Sequence, residues 1–442
     1  MIYFTVAGAV FVCWLVLALF FTPGLAYHVR KRIPVNSPEF LYTLLRTCHS
    51  VLHEGNRVIP YRNGNQFYPA MLEAIRAARK SAHLECYIVE PGRMADAFID
   101  ALTERARQGV EVRIVLDTIG SFWLRGRRLR RLRAAGCEVH YYRPLNWWGL
   151  ARLNNRTHRE LLIVDGCLAF LGGAGIADWW WPDPPPELLT SDGKAGVSTG
   201  RENEAGSAST IDSAWRDTMA RVEGPVVASV QGVFAENWLE CCGQVLSGED
   251  LFPNLLPAGS SRAFVVKSSP SDRATTSRVA VQFLIEGAQQ EVCINTPYFL
   301  PDRALRKTLC ETSRRGVDIR IVVPGPKTDQ RMVRLASRRK YGELLAAGVR
   351  IFEYQGSMMH AKVMIVDRTW ATIGTTNLDN RSFEHNDEVN LMTPDADVAA
   401  VVRQEFERDL PLCREVTLDG WRRRAIWERI AGSVLWVLER QQ

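Results

Sequence analysis

Two side chains, the imidazole of His360 and the ammonium of Lys362, form the best-equipped pair for chemistry in this chain. They lie in His360-Ala361-Lys362-Val363-Met364-Ile365-Val366-Asp367. The apolar, β-branched continuation predicts a buried strand. Side chains alternate across a strand, so the two groups share a face. An imidazole can attack phosphorus or protonate a departing oxygen. A fixed ammonium beside it offsets the charge of the phosphoryl oxygens. The pair therefore suits chemistry on a phosphate diester. Gly374-Thr375-Thr376-Asn377 follows after a second predicted strand.

The pattern occurs twice, the first time imperfectly. Thr157-His158-Arg159-Glu160, continuing to Asp165, reads against Met359-His360-Ala361-Lys362, continuing to Asp367, at a constant offset. Upstream, the runs after Gly109 and Gly316 match, as do those around Gly136 and Gly348. The offset drifts between these pairs, as loop insertions would cause. The chain is thus expected to be an internal duplication of strand–helix units.

Periodicity places the elements that must hold these residues. Residues 66–82 and 95–108 read as helices, and 82–89, 110–116 and 138–142 as strands. Residues 121–133 carry six arginines and read as a basic helix, with Phe122 and Trp123 beside them. The strand from Glu160 to Val164 should turn at Asp165-Gly166 into another. Residues 226–240 read as a long helix. The expected boundaries are 1–27 for a membrane span, 28–57 for a connector and 58–245 for the first repeat. A flexible insertion of Pro, Gly, Ser and charge falls near 182–210. A linker at 246–274, the second repeat at 275–415 and an amphipathic C-terminal helix at 416–442 complete the chain.

Bulk composition is that of a folded protein: 442 residues, 46% hydrophobic and 24% charged, with a net charge of +6. That mild excess does not separate lipid from nucleic acid as a partner. Ten cysteines show no ligand spacing with histidine, and there is no Gly-rich nucleotide loop. Neither a metal nor a cofactor is expected. Met1 to Tyr27 carries no charged side chain, and Ile2 to Phe21 is almost continuously apolar, about the length that spans a bilayer. Arg30, Lys31 and Arg32 follow the run rather than precede it. This predicts an uncleaved anchor, with the remainder of the chain on the cytoplasmic side.

The His-x-Lys-x4-Asp spacing followed by Gly-Thr-x-Asn resembles the phospholipase D superfamily. With the N-terminal anchor, the two repeats resemble bacterial cardiolipin synthases. The resemblance implies an α/β fold in which two sheet-plus-helix halves meet about a pseudo-twofold axis, each giving one histidine to a shared site. It implies a transferase of the inner membrane that passes a phosphatidyl group to phosphatidylglycerol through a phosphohistidine. Phosphatidylethanolamine is a further donor, and nucleic acid is not expected as a partner. His158 is the implied nucleophile and His360 the acid and base. Lys362, Asp165, Asp367, Asn377 and Glu388 complete the implied catalytic set, with Glu388 orienting the histidine of the other half. Glu160, Thr375 and Arg216 are expected to contact substrate.

The first repeat departs from that pattern, with Glu160 where lysine is expected and Gly175 where asparagine is expected. A carboxylate there repels a phosphate unless it is protonated or met by a cation. Three readings stand open. Glu160 has a proton-transfer or hydroxyl-binding role; or the site runs on Lys362 with help from an arginine such as Arg216; or chemistry is impaired and lipid binding is kept. Hydrolysis by a phospholipase D and a lipid-binding scaffold are the alternatives to transfer.

Overall fold

The computed structural model describes residues 27–144, 154–182, 214–270 and 276–426, together with Gly8, Val10, Glu428 and Arg429. The expected membrane span lies outside these residues apart from Gly8, Val10 and Tyr27. So do the 182–210 insertion, save Pro182, and the last residues of the expected C-terminal helix. Among the described residues no helix is long and apolar enough to cross a membrane.

Eighteen strands are found among the described residues. In the first half these are β1 (His53–Arg62), β2 (Ser81–Cys86), β3 (Glu111–Asp117), β4 (Glu138–Tyr142), β5 (Arg156–Thr157), β6 (Leu161–Val164), β7 (Leu168–Gly172) and β8 (Thr218–Glu223). The second half supplies β9 (Ser261–Ser268), β10 (Glu291–Asn295), β11 (Phe299–Leu300), β12 (Asp318–Pro324), β13 (Arg350–Tyr354) and β14 (Val363–Val366). It continues with β15 (Trp370–Gly374), β16 (Leu378–Asp379), β17 (Asn386–Thr393) and β18 (Cys413–Val416). All but β11 and β16 join one 16-stranded sheet, in the order β18-β13-β12-β10-β14-β15-β17-β9-β1-β8-β7-β6-β2-β3-β4, with β5 beside β17.

The order of pairings is the same on both sides of the β9–β1 contact. β2, β3 and β4 are parallel, as are β10, β12 and β13. β6–β7–β8 and β14–β15–β17 are antiparallel runs. Every residue of β2, β6, β10, β14, β15 and β17 is buried, as expected of strands covered on both faces.

Helices Gly64–Ala77 and Arg93–Arg107 cover one face of the first half, sharing a core with Leu84, Ile114 and Phe170. Helices Thr276–Gly287 and Arg303–Arg314 do the same for the second half, over Ile294, Ile321 and Met364. Pro38–Thr47 joins that second core through Phe40 and Leu44; Ser37 caps it by accepting from Phe40 N, and proline takes its first turn. On the other face, one core draws on both halves, with Val222 and Ile163 beside Val389 and Ile365, beneath helices Val227–Cys242 and Ala396–Asp409. That common core fixes the halves against each other and so fixes any site built between them.

Two expectations need correction. The span 246–274 was expected to be a linker but contains β9, a central strand. Its apolar stretch, Ala263-Phe264-Val265-Val266, is short and set among polar residues, and its register is fixed only by partners far away in sequence. The basic segment 121–133 is helical only over Arg127–Ala134. Gly126, at φ 66°, adopts a left-handed conformation that interrupts a helix.

Candidate active site

The candidate site gathers where β6, β8, β14 and β17 begin, along the contact between halves. β5 runs parallel to β17 and brings His158 N to Asp387 O at 2.9 Å. Symmetrically, Arg216 bridges to Met359, and His360 N donates to Arg216 O at 2.8 Å. Each histidine is therefore carried on a segment hydrogen-bonded to the opposite half.

His360 is 5% exposed. Its Nδ1 lies 2.7 Å from Asp217 Oδ2, which also accepts the indole N–H of Trp180 at 2.9 Å. The Lys362 ammonium lies 2.9 and 3.0 Å from the two ring nitrogens and donates to His360 O at 2.9 Å. Burial, then the Lys362 charge, holds His360 below its ordinary value, while Asp217 opposes both. The Nδ1 position is thus committed to Asp217, whose charge favours the imidazolium against burial and Lys362. Burial also lowers Lys362, against Asp217, Glu388 and Glu160. Gly173 leaves room for this lysine: a Cβ there would stand 3.0 Å from Lys362 Cδ.

His158 has the corresponding partner. Its Nδ1 lies 3.0 and 3.1 Å from the two oxygens of Glu388, from the other half. The Thr375 hydroxyl donates to Glu388 Oε2 and accepts from Val389 N. Tyr87 packs edge-on against the His158 ring, and Trp180 and Trp215 flank His360. In each pair the carboxylate holds Nδ1; this leaves His158 Nε2 for chemistry, while His360 Nε2 faces the Lys362 ammonium at 3.0 Å. Asn377 is 3% exposed and its side-chain oxygen has no hydrogen-bond partner among the described residues. A buried acceptor of this kind awaits a donor from a ligand or water.

Glu160 is buried and turns away from the role expected of it. Its Oε1 accepts from Tyr87 N at 3.2 Å and Ile88 N at 3.3 Å. Burial raises its pKa well above the ordinary value, outweighing the amides, the Cys86 thiol and the Lys362 charge. Burial therefore favours the protonated carboxyl, which weakens the expected repulsion of phosphate. Gly175 explains the companion departure. A Cβ there would stand 2.5 Å from Ile88 O and 3.0 Å from Glu160 Oε1. The folded-back Glu160 and the missing asparagine side chain are one arrangement.

Comparison with known proteins is consistent with this geometry. The family described as "Cardiolipin synthase, PLD-like domain" matches residues 71–183 and 282–410, together more than half of the chain. The chain belongs to this cardiolipin synthase family of phospholipase D-like enzymes. It is 33% identical to cardiolipin synthase A of Pseudomonas fluorescens, over 82% of this chain and 70% of that one. It is 30% identical to the major cardiolipin synthase of Bacillus subtilis, over 92% of this chain and 80% of that one. A phosphatidylserine synthase from Haemophilus influenzae shares the fold, with a TM-score of 0.63 at 13% identity, covering 91% of this chain and 97% of that chain.

Within this cardiolipin synthase-family site, four expected residues are placed differently. Asp165 and Asp367 do not reach the histidines. Asp165 accepts from the amides of Arg79, Lys80 and Ser81, and Asp367 from those of Gln289, Gln290 and Glu291. Both sit in turns at the far ends of β6 and β14 with φ near 50° (52° and 49°). Thr375 holds Glu388 rather than facing substrate. Arg216 is 1% exposed and spends its guanidinium on Asp409, at 3.0 Å to both oxygens. Asp217 was not anticipated. The available signal was position: it stands just before β8, the counterpart of β17, which carries Glu388.

Proposed function

We propose that this chain is a membrane-anchored phosphatidyltransferase that makes cardiolipin from phosphatidylglycerol. The observation that carries the reading is the reciprocal pairing of His158 with Glu388 and His360 with Asp217. Two imidazoles oriented through Nδ1, with one ammonium between the halves, supply a nucleophile, an acid–base and a charge clamp.

In the first step His158 Nε2 attacks the phosphorus of the donor lipid, forming an N–P bond as the P–O bond to the alcohol breaks. His360, protonated for this step, gives its proton to the departing alkoxide. In the second step the neutral His360 takes a proton from a phosphatidylglycerol hydroxyl. The resulting oxygen displaces His158 from phosphorus, which restores both imidazoles. Lys362 offsets phosphoryl charge throughout, and Asn377 meets a polar substrate atom. Phosphatidylethanolamine is a second donor compatible with the same steps.

The matched pairings around β1 and β9 support a duplicated fold with a pseudo-twofold axis, its halves beginning near His53 and Ser261. The uncharged N-terminal run followed by Arg30, Lys31 and Arg32 supports a single inner-membrane span with the catalytic part in the cytoplasm. The burial that favours a protonated Glu160 supports a working centre over an impaired scaffold.

The test is thin-layer chromatography after incubating the full chain in vesicles of labelled phosphatidylglycerol. New cardiolipin that disappears in His360→Ala supports transfer. Phosphatidic acid in its place makes the enzyme a hydrolase, and no product from the intact chain favours the scaffold.

A further inference from the structure

A second feature of the molecule lies away from the histidines, where the chain emerges from its N-terminal apolar run. The segment from Tyr27 to Arg32 is laid against helices Thr276–Gly287 and Arg303–Arg314. Gln282 Nε2 donates to Tyr27 O at 3.1 Å, and the Arg278 guanidinium stands 5.3 Å over the Tyr27 ring. Together they enclose a pocket of about 680 Å³, whose lining includes Arg30, Arg32, Arg303 and Lys307 as well as Glu286 and Glu311.

The charges in this pocket do not balance. Glu311 pairs with Lys307 at 3.7 Å. Glu286 accepts from Gln282 and Thr308, and its charge favours that of Arg315. Among the described residues Arg30, Arg32 and Arg303 have no carboxylate partner, and all three are exposed. Arg315, next to them, is held below its ordinary value by burial and then by Arg32. Cations that outnumber the carboxylates beside them are ready for an anion, and guanidinium groups match the geometry of phosphate.

We propose that this pocket binds the phosphate-bearing headgroup of an anionic phospholipid, at a site separate from the catalytic centre. A free phosphate offers the same chemistry, but two observations favour lipid. The volume suits a headgroup rather than one small ion. The pocket also begins at Tyr27, where the chain continues into the uncharged run, so it stands at headgroup level when that run spans the membrane. The lipid source thus rests on the proposed anchor, whereas the cation cluster does not.

Lys307 is a built-in reporter. The full chain carrying His360→Ala, so that no lipid is consumed, is reconstituted in phosphatidylcholine vesicles with or without about 20 mol% phosphatidylglycerol. Acetylation of Lys307 is read by mass spectrometry against Lys327, outside the pocket. Phosphatidylglycerol should slow Lys307 labelling by about threefold or more, the scale of one lost or gained charge contact at a membrane surface. Millimolar inorganic phosphate with neutral vesicles should leave it unchanged. The double variant Arg30→Gln/Arg303→Gln should abolish the protection. Equal labelling in the two vesicle types, or protection that survives in the double variant, overturns the pocket. Protection by inorganic phosphate alone overturns the lipid source. Flotation with phosphatidylcholine vesicles checks the anchor separately: a chain left behind overturns the membrane placement whatever Lys307 does.

Discussion

The Nδ1 atom of His360, in the second half of the chain, lies 2.7 Å from Oδ2 of Asp217, in the first. This aspartate is held in turn by the Trp180 indole and by Thr218 N. It fixes which ring nitrogen carries the proton and steadies the imidazolium that forms during turnover. Asp217→Asn keeps the size and loses the charge. Its kcat should fall by about a hundredfold or more, with melting temperature little changed. Asp217 raises the His360 pKa, so its loss should also move the alkaline limb of the kcat/KM profile, where His360 loses the proton it gives in the first step, to lower pH. An unmoved limb would assign Asp217 to packing alone.

Glu160 yields a prediction in three variants. Its carboxyl accepts from two backbone amides, and a glutamine carbonyl can do the same. Glu160→Gln should keep activity within about threefold, since burial already favours the uncharged form. Glu160→Lys points an ammonium at those two N–H groups in a buried space and should lower activity by about tenfold or more. Glu160→Lys/Gly175→Asn should recover no activity, because Ile88 O still stands 2.5 Å from any Cβ at position 175. Turnover of labelled phosphatidylglycerol by the three variants is the measurement. A large fall in Glu160→Gln would return Glu160 to a proton-transfer role.

The same residue ties stability to pH. Burial raises its folded pKa well above the ordinary value. Below that ordinary value both states are protonated, and its stabilising share is complete. As pH rises, the unfolded carboxyl ionises first and that share is lost until the folded pKa is reached. Glu160→Gln has no such proton. Its stability advantage over wild type should therefore grow above about pH 4.5, by at most about 1.4 kcal/mol per pH unit. Paired denaturant titrations from pH 5 to pH 8 read the difference, and a flat difference would refute the raised pKa.

Asp367 should matter for folding rather than for chemistry. Asp367→Ala strips the amides of Gln289, Gln290 and Glu291 of their acceptor, at a cost of about 2–3 kcal/mol. The folded fraction should retain kcat to within a few-fold. Asp165→Ala should behave alike. Guanidinium unfolding and turnover per folded molecule separate this from a catalytic role.

The histidines were legible because each sits in a local pattern written twice in the chain, and Lys362 because it shares the strand face of His360, whereas Glu388 came from the family resemblance of the stretch after Asn377. Asp217 was not legible: an aspartate ahead of a strand is commonplace, and its partner stands 143 residues away. The fold of Glu160 depends on amides 73 and 72 residues upstream, which spacing alone does not reveal. Asp165 and Asp367 were read as reactive because they travel with the motif, although the turn at Asp165-Gly166 already pointed to a backbone role. β9 escaped notice because its four apolar residues gain meaning only from β1 and β17 on either side.

The two histidine–carboxylate pairs close across 143 and 230 residues of chain. Neither imidazole is oriented by anything made close to it in time. On the ribosome, His158 emerges long before Glu388, and until Glu388 follows it has no partner for Nδ1. A nascent chain is therefore chemically silent, although its first motif has already emerged. A product truncated anywhere before Asn386 inherits that silence. An enzyme built to cut and rejoin the lipids around it thus stays inert until synthesis has passed its final orienting residue.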